Sequence, residues 1–147
     1  MPILFAKDYV EGMWRIVQHQ TPDDYVLATG VTTKIRDFAI KCFSYLGIEV
    51  EFSGEGANEI AKVVKCNGDY KLSIGEIVIA IDPRYYRPTE VDLLIGDSSK
   101  ARKELNWEPK YNLDGLVNDM MKADLELFTR ERFILKGGYK GSEIISQ

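Results

Sequence analysis

The chain has 147 residues, 45% of them hydrophobic and 29% charged, with a formal net charge of -4, the make-up of a globular protein with one ordinary core. The acidic balance excludes a general nucleic-acid binder, because no basic run could neutralise a phosphate backbone. Two cysteines, Cys42 and Cys66, and a single histidine, His19, supply neither a disulfide framework nor a metal-ligand cluster at known spacing.

Met1-Pro-Ile-Leu-Phe5 lacks the basic start and long apolar core of a signal peptide, and no apolar run is long enough to cross a bilayer. The cytoplasm is the expected compartment, with no membrane partner. Ala6, Tyr9, Val10, Met13, Trp14 and Val17 recur at three- and four-residue steps, which predicts a helix with one apolar stripe, ending near Gln20 before Pro22. His19, among glutamines at that helix end, reads as a solvated side chain. Tyr25-Val-Leu-Ala-Thr29 reads as a short buried strand closed by Gly30.

Thr32 or Thr33 can cap a second helix, whose face Ile35, Phe38, Ala39, Cys42, Phe43 and Leu46 ends at Gly47. Cys42 on that face reads as a buried thiol. Ile48-Glu-Val-Glu-Phe52 alternates like a half-buried strand. Residues 53–76 read as a hairpin-like excursion, with a weak strand at Val63-Val64 and a turn at Asn67-Gly68. Gly54-Glu-Gly56 is too little for a phosphate loop, having no third glycine.

Ile77-Val-Ile-Ala-Ile81 and Val91-Asp-Leu-Leu-Ile95 are strand-like, and between them lies Asp82-Pro-Arg-Tyr-Tyr-Arg-Pro-Thr-Glu90. Pro83 and Pro88 fix φ and push Asp82 and Arg87 toward extended geometry. Such a stiff segment can present Arg87 and Glu90 together: the guanidinium forks onto phosphate oxygens while the carboxylate accepts from sugar hydroxyls. That pairing suits a nucleotide diphosphate. The alternative is that Arg84, Arg87 and Glu90 form surface ion pairs near a turn.

Gly96-Asp97-Ser-Ser99 caps a short helix through Lys100, Ala101 and Leu105, stopped by Asn106-Trp107-Glu108-Pro109, with Trp107 as a core anchor. A last helix carries Leu113, Leu116, Val117, Met120, Ala123 and Leu127 on one side. Residues 1–129 thus read as one unit and 130–147, with Gly137, Gly138 and Gly141, as a loosely held tail. No Gly-x-Gly-x-x-Gly occurs, and none of the eight tyrosines has a lysine four residues on, so neither a dinucleotide cradle nor a Tyr/Lys catalytic pair is visible. No catalytic or cofactor-binding residue can be named.

These stretches resemble the GDP-mannose 4,6-dehydratase family of extended short-chain dehydrogenase/reductases. The likeness lies in Ala6-Lys-Asp-Tyr-Val-Glu-Gly-Met-Trp14, Pro22-Asp-Asp-Tyr-Val26, Ala28-Thr-Gly30 with Ile35-Arg-Asp-Phe38, and Asp82 to Val91. It continues through Gly96-Asp97, Lys100-Ala101 and Leu105-Asn-Trp107-Glu-Pro-Lys110 to Asp124-Leu125, so it covers roughly Ala6 to Tyr139. The run Arg84-Tyr-Tyr-Arg-Pro-Thr-Glu90 is its most specific part.

The resemblance implies an α/β fold: the C-terminal, substrate-side part of the family's architecture, without the N-terminal glycine-rich Rossmann half that holds NADP and supplies the catalytic Thr, Glu, Tyr and Lys. Met1 to Phe5 depart from the family where it carries Arg-Asp-Trp-Gly, which suits a start inside an ancestral gene or a truncated reading frame. The resemblance implies that Arg87 holds the GDP diphosphate and Glu90 the guanosine ribose, with no role assigned to Arg84 or Tyr86. The family's lyase reaction, a step toward GDP-fucose, oxidises mannose at C4 with NADP, removes water across C5 and C6, and returns the hydride to C6. A chain that cannot hold the nicotinamide binds no NADP and cannot run this alone.

The leading expectation is therefore a GDP-mannose-binding part, inactive by itself, whose partner is a companion chain bearing the Rossmann half. The other is a non-enzymatic remnant that serves as a weak nucleotide-sugar-binding or homo-oligomerisation module. Either way, apolar faces left uncovered should make the isolated chain associate.

Overall fold

The computed structural model describes residues 5–67, 70–87 and 95–137. In chain order these form α1 (Ala6–Gln18), α2 (Ile35–Tyr45), β1 (Ile48–Ser53), a 3-10 turn (Gly56–Asn58), β2 (Ile60–Cys66), β3 (Ile77–Ala80), α3 (Ser99–Leu105) and α4 (Leu113–Lys136). The helices accompany a three-stranded sheet of order β1-β2-β3, antiparallel throughout. No helix among the described residues is long and apolar enough to cross a membrane.

Two packing zones follow from the side-chain pattern. In the first, Ile48 of β1 and Ala61 and Val63 of β2 are buried, α2 covers β1, and α4 lies on α2 with Val117 turned inward. The helix ends are local chemistry. Gly47, with φ of 72°, takes the left-handed position just past α2, and the Asn112 side chain accepts a hydrogen bond from the Gly115 amide at 2.9 Å to start α4. Residues 53–76 contain β2, whose register runs from Ile48 opposite Cys66 to Ser53 opposite Ile60. β2 is the central strand, so the weak pattern at Val63-Val64 understates it. The reason is its setting: strands on both sides supply the ladder that propensity alone does not promise.

In the second zone Trp107, 1% exposed, sits with Ala101 and Leu105 of α3 against Ile16, Tyr25 and Leu27. Its indole donates to the Asp8 carbonyl at 2.9 Å, while the buried Asp8 carboxylate accepts from the Lys110 and Tyr111 amides at 3.1 and 3.2 Å. Asp8 thus ties α1 to the segment that leads into α4. Gly12 makes the close approach possible. A Cβ there would lie 2.5 Å from a Leu27 methyl and 3.1 Å from the Trp107 indole nitrogen.

Several sequence expectations change. Tyr25 to Thr29 is not a strand: Tyr25 and Leu27 turn toward the Trp107 core as alternation predicts, but no sheet ladder forms there among the described residues. The stripe of α1 faces outward, with Trp14 63% and Val17 78% exposed, because Asp8, Gly12 and Ile16 occupy the inner side. His19 is half-buried, its Nδ1–H donating to the Thr21 carbonyl at 2.8 Å beside the Tyr25 hydroxyl. Lys34, with no side-chain bond, holds the cap position of α2. α4 also continues through Lys136, past residue 130. Cys42 is half-buried on α2, and burial raises its thiol pKa.

Candidate functional site

The segment that follows β3 is anchored before it turns. At its start the Ile81 amide donates to the Glu59 carbonyl at 3.4 Å, and the Glu59 carboxylate pairs with Arg36, whose cation also lies 5.4 Å from the centre of the Phe52 ring. The chain then reverses: the Tyr85 amide donates to the Asp82 carbonyl at 3.0 Å, and the Arg84 amide to an Asp82 carboxylate oxygen at 3.0 Å. This is a proline-led turn closed by its own aspartate.

Within it the two arginines differ. The Arg84 guanidinium forks onto both Asp82 oxygens, at 3.1, 3.1 and 2.6 Å. Arg84 beside it holds the Asp82 carboxyl below the usual carboxylate range, and Asp82 raises Arg84 in return. Arg84 is spent on the turn. Arg87 is exposed and makes no hydrogen bond or ion pair with any described residue. Glu90, the expected ribose ligand, lies outside the described residues together with Pro88, Thr89 and 91–94. Among the described residues the surface-pair alternative therefore holds for Arg84, while for Arg87 no such pair is described.

The structure adds a neighbour that the sequence did not suggest. Tyr86 projects onto the turn between β1 and β2: a Cβ placed on Gly56 would stand 2.9 Å from the Tyr86 hydroxyl and 3.4 Å from its Cζ. The turn is sharp, with φ of 88° at Gly54 and 58° at Gly56, and the Asn58 amide closes it onto the Glu55 carbonyl at 3.1 Å. Residues 54–58 and 82–87 therefore form one corner, brought together by the pairing of β2 with β3.

Elsewhere a cleft of about 370 Å³ opens between the Phe5–Tyr111 stack, with ring centres 4.3 Å apart, and Thr29, Val31, Leu113 and Leu116. None of its lining residues belongs to 82–87. Among the described residues no three His, Cys, Asp or Glu side chains are grouped to hold a metal ion.

Comparison with known proteins matches residues 3–120 to the family described as GDP-mannose 4,6 dehydratase. The chain is 46% identical over 125 residues to the GDP-mannose 4,6 dehydratase of Drosophila melanogaster, covering 85% of this chain and 30% of that protein. It is 42% identical over 136 residues to the GDP-mannose 4,6-dehydratase of Vibrio cholerae, 91% of this chain and 36% of the relative. With the human protein the identity is 41% over 122 residues, 83% of this chain and 31% of the relative. The chain spans about a third of the length of these curated relatives.

Proposed function

Because the chain belongs to the GDP-mannose 4,6-dehydratase family, we propose that it is the substrate-side part of such an enzyme and binds the GDP moiety of GDP-mannose for conversion to GDP-4-dehydro-6-deoxy-mannose. The observation that carries this reading is the unequal fate of two neighbouring arginines. Arg84 is tied to Asp82, whereas Arg87, three residues on in a braced turn, is exposed and without a partner among the described residues. An exposed guanidinium on a stiff segment suits a diphosphate, which it can meet with two parallel hydrogen bonds. Glu90 supplies the carboxylate for the ribose hydroxyls.

The family's cofactor, NADP, finds no matching cradle among the described residues. Of the five glycines with positive φ, Gly54 and Gly56 open only the 3-10 turn Gly56–Asn58, and Gly30 stands alone before α2, where a dinucleotide needs closely spaced glycines at the start of an α-helix. On this reading the chain alone turns nothing over in the cytoplasm, and a companion carrying the Rossmann half restores turnover.

Calorimetric titration with GDP-mannose tests the reading, beside Arg87→Ala and Glu90→Ala. One charge-assisted hydrogen bond is worth about 1.5–3 kcal/mol. Against the cost of association, binding of order millimolar is expected, and it should be lost in both variants. A folded wild-type chain that takes up no GDP-mannose would refute the reading. The second reading, a self-associating module without a working site, is favoured by the outward apolar face of α1.

A further inference from the structure

We infer that the Gly54–Glu55–Gly56 turn is a seat for Tyr86 that sets the position of Arg87, making Gly56 and Tyr86 positioning residues of the diphosphate site. This rests on the functional reading above for what Arg87 binds, but the coupling itself stands on geometry.

Arg87 has no ion pair of its own among the described residues to hold it, so its placement depends on the backbone beneath. That backbone is fixed at its start by the Ile81 to Glu59 hydrogen bond and by the Asp82 turn. At the far side the described contact is Tyr86 against Gly56, one residue before the arginine. Gly56 leaves room for the ring: a methyl group there would stand 2.9 Å from the Tyr86 hydroxyl oxygen, too close unless one of them moves. The turn is tight: Gly54 packs so closely on the Asn58 carbonyl that a Cβ there would lie 2.4 Å from its oxygen, and Glu59, just beyond, is held to Arg36 and Ile81. The strain therefore falls between the turn and Tyr86, whose backbone is bonded directly to that of Arg87.

The distances also provide a rescue. With the hydroxyl removed, the nearest ring atom to a methyl on Gly56 is Cζ at 3.4 Å, an ordinary contact. Gly56→Ala should therefore displace Tyr86, whereas Gly56→Ala combined with Tyr86→Phe should let the ring return. Backbone strain at the positive φ of Gly56 is common to both variants and cannot produce that difference.

The experiment follows the Arg87 amide and guanidinium Nε–H resonances of the isotope-labelled chain by NMR, with GDP-mannose titrated into each sample. Gly56→Ala should shift the Arg87 resonances and weaken GDP-mannose about tenfold, and the double variant should return both to near wild type, within about threefold. Unmoved Arg87 resonances in a folded Gly56→Ala chain would overturn the inference, as would a double variant no closer to wild type than the single one. Arg87 resonances that shift in Gly56→Ala and recover in the double variant, while the wild-type chain ignores GDP-mannose, would uphold the positioning and sink the functional reading instead.

Discussion

Asp8 is the side chain whose loss should be felt most widely. It is 1% exposed, and its two oxygens accept from the Lys110 and Tyr111 amides at 3.1 and 3.2 Å. A hydrogen bond to a charged acceptor contributes about 1.5–3 kcal/mol, and these lie at the long end of the distance range, so the lower figure applies to each. Asp8→Ala should cost about 3 kcal/mol, and Asp8→Asn, which keeps one acceptor, about half of that. With a urea m-value of about 2 kcal/mol/M, the alanine variant shifts the unfolding midpoint by about 1.5 M. Fluorescence is the assay, since Trp107 is buried against the Asp8 carbonyl while Trp14 is already in solvent. The control is Asp114→Ala: its pair with Lys41 at 2.5 Å has side chains 68% and 42% exposed, so the cost should stay below about 1 kcal/mol, helix dipole included. An Asp8→Ala midpoint no lower than that of Asp114→Ala would refute the reasoning.

Gly12→Val should destabilise by about 1–3 kcal/mol, because its Cβ falls 2.5 Å from Leu27, and the same urea titration reads it. In acid, Lys110, then Arg15, holds the Glu11 carboxyl below its usual range, and Lys100 does the same for Asp23. A depressed carboxylate stabilises above its unfolded value and loses that contribution as pH falls through its folded one. The midpoint should therefore drop below about pH 4, and Lys110→Met should flatten the drop. Self-association should be measurable by sedimentation, and Val10→Lys with Val17→Glu on the outer face of α1 should reduce it. An unchanged sedimentation coefficient would point the association elsewhere.

Much of this was legible in the sequence. The three- and four-residue steps of α1 and α2 gave their extents within two residues or so, because a helix is set by local hydrogen bonds and Gly47 or Pro22 marks its stop. Trp107 behaved as an anchor because Asn106, at φ of 49°, and Pro109 break the chain around it. What local pattern could not reveal was direction. The α1 stripe has the right period, yet a buried acid with two backbone partners outcompetes it for the inner side, and only residues about a hundred positions away supply those partners. The Tyr25 to Thr29 segment failed for the same reason: alternation registers burial, while a strand also needs a neighbour. Among the candidate residues, Arg87 could be separated from Arg84 only once the turn had brought Asp82 within reach of one of them.

The length of α4 carries a consequence of its own. Its 24 residues run about 36 Å, yet Val117 is its buried residue and Phe128, Phe133 and Leu135 are largely in solvent. The outer half therefore inherits its helicity by propagation from a nucleus that packing creates near Asn112, because nucleation is the costly step and each added turn is nearly neutral. Amide exchange should rise along the helix as a gradient from residue 117 outward, with the far turns opening and closing many times within the life of the folded core.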